Sequence, residues 1–536
     1  MNKSIRKVSA ALAVLLAALF VNMNFVQVVK GNDYRDNPDN LRVLLNEHAS
    51  PRGDIVVAGA AIAHSKQTDD EQKYRRVYPN GPLYAPVTGF YSLDAPTSPY
   101  LGTQGIEYEE NSVLSGNDPK LFSSRLTDLL TGRDSRGGSV ELTLDRETQL
   151  AAYQQLDKVV NGKPLRGSVV ALDPTTGAIL AAVSLPSYDP NALTSHNSAT
   201  ARKAYRADCK PNAKGDCTNE LAPLLNRAFN QVYPPGSIFK TVVAAAALED
   251  GVTPDSALIA PVAYYPETGA TGTTRCKTND TSCVENFEGE QCATGTTATL
   301  SFAYAKSCNT LFSALAVDRD LGTKIAAKAK QFGFDSDDDL TVPMPVVGST
   351  VGSKADLSRK GFLARTAFGQ QDVRVTTLQA AMMASAVANE GTLMKPYLVS
   401  RELAPNLNEL SKTDPTQLDQ VLSPTLDHQL QTMMEGVITE PEGTGRAAAI
   451  TDVPGVVVGG KTGTADTGRK LTNGQDEPPD SWFIGYAMQN GVPKIAVAVV
   501  VENGGNSGAE STGVTGGANA APIAKAVLSA YLKANP

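Results

Sequence analysis

One segment of the chain begins Tyr233-Pro234-Pro235-Gly236-Ser237-Ile238-Phe239-Lys240 and continues as an alanine- and valine-rich run that ends at Gly251. The prolines and Gly236 interrupt regular structure, so the run predicts a buried helix that is entered near Ser237. Residues three apart share a helix face, which brings the Lys240 amine within reach of the Ser237 hydroxyl. The N–H groups and the dipole at a helix start favour developing negative charge there. The pair is therefore a candidate activated nucleophile; an N-cap serine followed by a solvated lysine is the alternative.

The composition narrows the class of protein. A length of 536 residues allows two or three domains with sizeable cores. A net charge of -8 and the lack of any Lys/Arg-rich run argue against a nucleic-acid partner. The four histidines do not lie at metal-ligand spacing and disfavour a zinc site or a Ser-His-Asp triad, so we predict neither a metal nor a cofactor.

All six cysteines lie between residues 209 and 308, and none forms a C-x-x-C pair that would suggest a metal site. An even number outside the cytoplasm suggests disulfides, for which six cysteines allow about fifteen connectivities. We predict that sequence neighbours pair; the alternative is that some or all of them are free and buried. The predicted pairs are Cys209–Cys217, Cys276–Cys283 and Cys292–Cys308.

The N-terminal stretch has the pattern of a membrane anchor. Lys3, Arg6 and Lys7 precede an apolar stretch at residues 8–29, which is long enough to span a bilayer. The flanking positive charges predict a cytoplasmic N-terminus and an extracytoplasmic remainder. A cleaved signal peptide is the alternative, but no A-x-A site follows the small-residue run. We therefore predict a short tail and an uncleaved single-pass anchor within residues 1–30.

Residues 31–136 carry no helical periodicity long enough to form a core alone. Short apolar runs between glycines and prolines predict small strands and irregular loops. No catalytic residue is predicted here, and we expect the region to be a pedestal that holds the rest of the chain away from the membrane.

Residues 137–536 have the pattern of a layered α+β domain. Asp145 is a candidate N-cap for a helix at 146–160, and the turn between Asp173 and Gly177 joins two apolar strands into a hairpin. Alanine-rich segments between the two ends of this region predict a helical lobe. Strands are predicted at 140–144, 167–172, 178–185, 455–458, 481–487 and 494–501, and helices after Lys240, at 324–330, 378–389 and 518–533.

Two further motifs lie downstream of the first. Ser307-Cys308-Asn309 places a hydroxyl and a carboxamide two residues apart at the predicted end of a short helix, where an ordinary turn is the alternative. Lys461-Thr462-Gly463-Thr464 follows a predicted strand; its glycine lets a ligand backbone approach closely, as in strand addition. By itself, this motif is also compatible with an ordinary edge strand.

The order S-x-x-K, S-x-N, K-T-G resembles the motif set of penicillin-binding proteins and serine β-lactamases. Over its full length the chain resembles a class B penicillin-binding protein, a peptidoglycan D,D-transpeptidase, and more narrowly the penicillin-binding protein A type of actinobacteria. Phe368-Gly369-Gln370-Gln371 departs from the usual Gly-Gln-Gly pattern. Further similarities are Arg52-Gly53-Asp54-Ile55 and the set Gly102, Gly105, Glu107, Leu114 and Gly116, which resemble the non-catalytic pedestal motifs, and residues 481–486, which resemble the strand after K-T-G.

The resemblance implies a transpeptidase/serine β-lactamase-like fold, in which a five-stranded antiparallel sheet is covered by terminal helices and joined to an all-helical lobe. It implies that Ser237 is acylated by the penultimate D-Ala of a stem peptide and that Lys240 takes the proton. The remaining implied roles are proton relay for Ser307, tuning of that hydroxyl for Lys461, substrate binding for Asn309, Thr462, Gly463 and Thr464, and an oxyanion hole at the N–H groups of Ser237 and Thr464.

The implied partners are D-Ala-D-Ala stem peptides, β-lactam antibiotics and a SEDS-family glycan polymerase in the membrane. A class A enzyme is disfavoured because no glycosyltransferase domain fits before residue 137. A D,D-carboxypeptidase, a β-lactamase, or a sensor or scaffold without turnover are the alternatives; the anchor and pedestal disfavour the β-lactamase, and the short N-terminal tail disfavours the sensor. Cys308 within S-x-N is unusual and suggests that a disulfide with Cys292 braces the site.

Overall fold

The structure is a computed structural model. It describes residues 2–30, 50–92, 105–122, 128, 130, 136–214, 216–277, 280–336, 340–470, 474–506 and 515–536.

A five-stranded antiparallel sheet organises the larger part of the chain, as predicted. Two strands precede the helical lobe in sequence and three follow it, and the order across the sheet is β3-β4-β5-β1-β2. Most of the residues of β1, β2, β4 and β5 are buried, because helices cover both faces of the sheet. The strands are β1 Gly167–Leu172, β2 Ile179–Leu185, β3 Val456–Ala465, β4 Asp480–Gln489 and β5 Val492–Val501.

Strand β3 is longer than predicted. The sequence places its end at residue 458, before the motif at Lys461, but hydrogen bonding to β4 continues without interruption to Ala465. The glycines at 459, 460 and 463 mask the strand pattern because glycine is a weak strand former. The motif therefore lies within an edge strand and not after it.

Helices cover both faces of this sheet. Arg146–Leu156 and the terminal helix Gly516–Ala534 pack on one face, and Thr377–Ala388, buried along its whole length, packs on the other. Asp145 caps the first of these helices by accepting a hydrogen bond from the Thr148 N–H, as predicted. That helix ends at Leu156 and not near residue 160, because Asn161-Gly162 adopts positive φ at both positions and turns a short hairpin there.

The helical lobe lies between β2 and β3 in sequence. Its helix Lys240–Glu249 is buried except at its last residue, which agrees with the predicted buried run. The other helices of the lobe are Ser198–Cys209, Leu300–Lys306, Asn309–Asp318, Gly322–Gln331, Lys360–Thr366 and Pro424–Thr439, with four-residue helices at Pro190–Leu193 and Lys354–Leu357. Short strand pairs are Ala257–Ile259 with Thr297–Thr299, Ala263–Tyr265 with Ala270–Gly272 and Val284–Glu285, and Thr392–Met394 with Gln417–Gln420.

A second, six-stranded sheet contains the predicted pedestal strands and extends beyond them. The strand predicted near residue 140 forms, but it pairs with Ile55–Val57 and not with the five-stranded sheet. Two strands from residues 399–412 complete the sheet, so distant parts of the chain are tied together here. The strand order is Glu409–Lys412, Val399–Leu403, Ser139–Leu142, Ile55–Val57, Ala60–Gln67 and Tyr74–Val77, and short helices Gly81–Thr88, Ile106–Glu109 and Asn111–Leu114 accompany it.

The pedestal motifs meet around one buried carboxylate. Glu107 pairs with Arg52 and Arg76, each at 2.6 Å, and accepts a hydrogen bond from the Tyr78 hydroxyl at 3.0 Å. The two guanidinium groups hold the pKa of this carboxyl below its usual value although burial alone would raise it. Gly102, which the sequence groups with these residues, lies outside the described residues.

Replacing Glu107 by glutamine should destabilise the protein by about 3–5 kcal/mol, because two buried arginines would lose their counter-charge. Thermal unfolding of the detergent-solubilised full chain measures the change. The control is Asp452→Asn, which breaks an exposed pair with Lys533 and should cost less than about 1 kcal/mol. An unchanged unfolding midpoint for Glu107→Gln would contradict the proposed electrostatic role of the cluster.

The N-terminal segment is helical. An α-helix at Asn2–Asn24 continues into a π-helical turn at Phe25–Val29. Within it, Ile5–Gln27 is long and apolar enough to cross a membrane, and its described side chains are exposed in the isolated chain.

Candidate active site

Ser237 lies in a tight turn that leads into the buried helix. Gly236–Phe239 forms a 3-10 turn, and the α-helix begins at Lys240, so the helix entry predicted near Ser237 is correct to within one turn. Gly236 adopts a positive φ of 54°, and a Cβ atom there would lie 2.6 Å from the Thr464 carbonyl oxygen. The turn therefore packs closely against strand β3, and only glycine fits at this contact.

Four polar atoms surround the Lys240 amine. Its Nζ lies 3.0 Å from Ser237 Oγ, 2.7 Å from the Ser307 carbonyl oxygen and 3.2 Å from Ser307 Oγ. The side-chain oxygen of Asn309 accepts a fourth contact at 2.8 Å. The structure thus brings together the first two predicted motifs, which are separated by 67 residues between Lys240 and Ser307.

Ser307 projects into the site from a strained loop between two helices. It ends Leu300–Lys306 in the left-handed conformation with φ 68°, which is uncommon for a residue other than glycine. Its Oγ lies 2.8 Å from Lys461 Nζ and therefore sits between the two lysines. A strained residue held at a site of this kind is typical of functional positions.

The loop at Ser307 is also held by the segment at Glu285 and Asn286, which the sequence analysis did not connect to the site. The Asn309 side-chain N–H donates to the Glu285 carbonyl oxygen at 3.3 Å, and Asn286 accepts from the Thr310 N–H. The predicted disulfide between Cys292 and Cys308 is present, as are the other two predicted pairs. Nothing in the local pattern around Glu285 indicates this role, because it depends on a contact across 24 residues.

Strand β3 forms the opposite wall of the site. At Gly463, a Cβ atom would lie 2.8 Å from the Pro235 carbonyl oxygen and 3.0 Å from the Trp482 side chain, so the absence of a side chain is required for packing. The Thr462 hydroxyl lies 2.6 Å from that of Thr444, a residue absent from the sequence prediction. Its setting between Gly443 and Gly445 is the only local signal that could have drawn attention to it.

The loop that departs from Gly-Gln-Gly lies directly against the turn that carries Ser237. Gly369 accepts a hydrogen bond from the Gly236 N–H at 2.9 Å, and a Cβ at Gly369 would overlap the Gly236 carbonyl. Gln371, where the usual pattern has glycine, adopts a positive φ of 63°. The backbone of the pattern is therefore retained, and this loop supports the turn that carries Ser237.

The electrostatic environment lowers the pKa of both lysine amines in the site. Lys240 and Lys461 are both fully buried. Burial holds the pKa of Lys240 well below its usual range, and the charge of Lys461 lowers it further. Burial lowers the pKa of Lys461 to about 7. Among the residues described, no group of three or more His, Cys, Asp or Glu side chains could hold a metal ion.

A serine acyltransferase with a lysine, and no histidine, beside the serine is the class of protein that this fold and site define. The chain belongs to the penicillin-binding protein transpeptidase family: the Penicillin binding protein transpeptidase domain matches residues 167–529. The Penicillin binding protein A dimerisation domain matches residues 52–140. The resemblance stated from the three motifs is thereby confirmed.

The relatives are named transpeptidases. The chain is 41% identical to Peptidoglycan D,D-transpeptidase PbpA of Mycolicibacterium smegmatis, over 99% of both chains. It is 40% identical to the protein of the same name from Mycobacterium tuberculosis, over 100% of both chains. Among solved structures, penicillin-binding protein A from M. tuberculosis as a ceftriaxone acyl-enzyme complex matches with a TM-score of 0.79 and 38% identity, covering 91% of this chain and 100% of that one.

Proposed function

We propose that this chain is a peptidoglycan D,D-transpeptidase in which Ser237 carries the acyl group and Lys240 is the general base. The contacts of Lys240 carry this proposal. A neutral amine has two N–H groups and one lone pair. The Ser307 carbonyl and the Asn309 amide oxygen can only accept hydrogen bonds, so they take the two N–H groups. The lone pair is then left for the Ser237 hydroxyl, 3.0 Å away.

The reaction begins when Ser237 Oγ attacks the carbonyl carbon of the penultimate D-Ala of a donor stem peptide. Its proton passes to Lys240, and the backbone N–H groups of Ser237 and Thr464 stabilise the oxyanion, a contribution of about 10²–10³ in rate per donor. Ser307 then delivers a proton to the departing D-Ala amine as the amide bond breaks. An amine from a second stem peptide resolves the acyl-enzyme and completes the cross-link.

The remaining site residues position the substrate. Lys461 holds Ser307 through the contact at 2.8 Å and supplies positive charge near the substrate carboxylate. The hydroxyls of Thr462 and Thr464 bind that carboxylate; if Thr444 donates to Thr462, the Thr462 hydroxyl keeps its own proton for the substrate. Asn309 binds the substrate amide, and Gly463 leaves room for the substrate backbone.

β-Lactams acylate Ser237 by the same steps and leave slowly. The M. tuberculosis relative was solved as acyl-enzyme complexes with ceftriaxone, imipenem and penicillin G, which supports this proposal.

We also propose how the chain is arranged at the membrane. Residues 1–30 form a cytoplasmic tail and a single-pass anchor, residues 31–136 a pedestal whose sheet is completed by strands from 139–142 and 399–412, and residues 137–536 the extracytoplasmic transpeptidase domain. The anchor and pedestal are the surfaces for contact with a SEDS-family glycan polymerase.

The pH dependence of acylation tests the role of Lys240. The active form is the neutral amine, so the second-order rate of labelling by a fluorescent penicillin should rise as pH increases through the Lys240 pKa, which lies well below the usual lysine value of 10.5. Because the charge of Lys461 contributes to the lowering of the Lys240 pKa, Lys461→Gln should move the rising limb of the pH–rate profile to higher pH. Lys533→Gln, an exposed lysine on the terminal helix, is the control and should leave the limb in place. A limb that moves to lower pH in Lys461→Gln would contradict the assignment.

A further inference from the structure

Glu502 is a buried carboxylate that directly follows strand β5. Its Oε1 accepts hydrogen bonds from Arg227 Nε and from the Tyr233 hydroxyl, both at 2.9 Å, and its Oε2 pairs with Arg166 at 2.5 Å. Although burial alone would raise the pKa of this carboxyl, the two guanidinium groups hold it below its usual value. Glu502 is therefore a charged acceptor in the interior, and none of these four residues has a role in the chemistry described above.

The carboxylate of Glu502 is fixed relative to the five-stranded sheet. The Glu502 N–H donates to the Arg166 carbonyl oxygen at 2.8 Å, and Arg166 directly precedes β1, the strand that pairs with β5. The Arg227 guanidinium also donates to two backbone carbonyl oxygens of its own loop, at 2.8 and 3.1 Å. Because a guanidinium presents its donors in a rigid fork, these contacts also fix the carboxylate that it binds. The Tyr233 hydroxyl is therefore held by an acceptor that belongs to the rigid part of the domain.

Tyr233 lies four residues before Ser237, and the chain between them has little freedom. The two residues after Tyr233 are prolines, whose rings restrict φ, and φ of Pro235 is −75°. Gly236 follows and packs against β3 with no room for a Cβ atom. A displacement of Tyr233 is therefore passed on to Ser237, because few torsions between them are able to absorb it.

A second contact from the sheet reaches the same segment. The Trp482 Nε1–H on β4 donates to the Pro234 carbonyl oxygen at 3.0 Å, and the Trp482 ring meets the Tyr233 ring edge-on, with centroids 5.8 Å apart. Trp482 also pairs with Gly463 in the ladder between β3 and β4. The segment before Ser237 is therefore connected both to the end of β5 and to the strand that carries the K-T-G motif.

We propose that Tyr233, held by Glu502, is a positioning residue: its hydroxyl fixes where the Ser237 hydroxyl lies relative to the Lys240 amine. The inference rests on the proposed function, in which a proton passes from Ser237 Oγ to Lys240 Nζ across 3.0 Å. Neither Tyr233 nor Glu502 contacts the substrate or moves a proton. They act through the backbone of the turn, and positions supported from rigid strands are held more precisely than those supported from loops.

Tyr233→Phe tests this role, because it removes the hydroxyl and keeps the ring that meets Trp482. Stopped-flow labelling of the full chain in detergent, at a series of fluorescent penicillin concentrations, separates the limiting rate of acylation from the half-saturating concentration. The rates are normalised to the folded fraction. The limiting rate should fall by about 10–100-fold, the loss that a misplacement of about 1 Å causes, while the half-saturating concentration changes by less than about twofold.

The pH dependence of the same reaction distinguishes positioning from an electrostatic effect. The Lys240 pKa is lowered by burial and by the charge of Lys461, and Tyr233→Phe changes neither. The rising limb of the limiting rate should therefore stay at the wild-type pH while the plateau falls. A limb that moves in Tyr233→Phe would show that the hydroxyl acts on the Lys240 pKa, and would overturn the positioning role.

The pedestal provides a matched control, Tyr78→Phe. The Tyr78 hydroxyl donates to Glu107 at 3.0 Å, and Glu107 pairs with two arginines, as Glu502 does. Both variants lose a buried hydrogen bond to a charged group and should unfold at a lower temperature. Only Tyr233→Phe should acylate more slowly per folded molecule.

Three results would overturn the inference while leaving the proposed function intact. These are a wild-type limiting rate in Tyr233→Phe, an equal loss of rate in both tyrosine variants, and a change confined to the half-saturating concentration. A wild-type protein that forms no acyl-enzyme at Ser237 would instead overturn the proposed function, and this inference with it.

Discussion

The Ser237→Ala variant should show no covalent labelling by a fluorescent penicillin, because it removes the hydroxyl that we propose as the nucleophile, which lies 3.0 Å from the buried Lys240 amine. Ser307 lies near both lysines, but its Oγ is closer to Lys461 Nζ, at 2.8 Å, than to Lys240 Nζ, at 3.2 Å. Labelling is read by gel fluorescence and intact mass. The same variant should form no cross-linked products from lipid-linked glycan, as measured by mass spectrometry.

Ser301→Ala is the matched control, since Ser301 lies on the helix that precedes Ser307 and has no place in the proposed chemistry. It should label as wild type. Labelling of Ser237→Ala at the wild-type level would show that another residue is the nucleophile and would defeat the whole mechanism.

The Lys240→Met variant should acylate about 10²–10⁴-fold more slowly than wild type, the usual contribution of a positioned general base. Methionine is close to lysine in length and apolar, so it fills the buried space without a proton acceptor. It also leaves the Ser307 carbonyl and the Asn309 amide oxygen without a donor, and we expect some loss of stability as well. Stopped-flow labelling, normalised to the folded fraction, separates the two effects.

A second buried lysine provides the control. Lys328 is as buried as Lys240 and contacts Glu249 and the Val421 carbonyl oxygen, in a helix that does not reach the site. Lys328→Met should lower the unfolding midpoint while labelling at the normal rate per folded molecule. If Lys240→Met also labels at the wild-type rate, the base is another group.

The two lysine variants test how the site tolerates the burial of two lysine amines. A charged amine is costly to bury, and the cost falls when the amine is neutral. Two buried lysines whose Nζ atoms share the Ser307 hydroxyl satisfy this condition only if at least one is neutral, and burial plus mutual repulsion select Lys240. The same burial that makes the site costly to fold therefore favours the neutral form of Lys240, which its proposed role as the base requires.

Much of the architecture could be predicted from local pattern. Apolar runs bounded by glycine and proline located β1, β2 and β5 to within two residues, because a buried strand needs little more than an apolar run between breakers. The cap at Asp145 and the three disulfides between neighbouring cysteines could also be predicted, since each depends on contacts between residues close in sequence. The full extent of β3 could not be predicted, because its glycines weaken the strand signal in the sequence. The continuous pairing with β4 shows where the strand ends.

By itself, the sequence determined the residue types and the one-turn spacing of Ser237 and Lys240, on which the proposed chemistry depends, because both are local properties. Only the tertiary structure decided which N–H and C=O groups complete the site. Thr444, the Glu285 carbonyl and the strained φ of Ser307 act through contacts between segments far apart in the chain. The strand near residue 140 likewise joined the pedestal sheet because its hydrogen-bonding partners, Ile55–Val57 and Val399–Leu403, lie there. A strand signal specifies unsatisfied N–H and C=O groups but not the strand that will satisfy them.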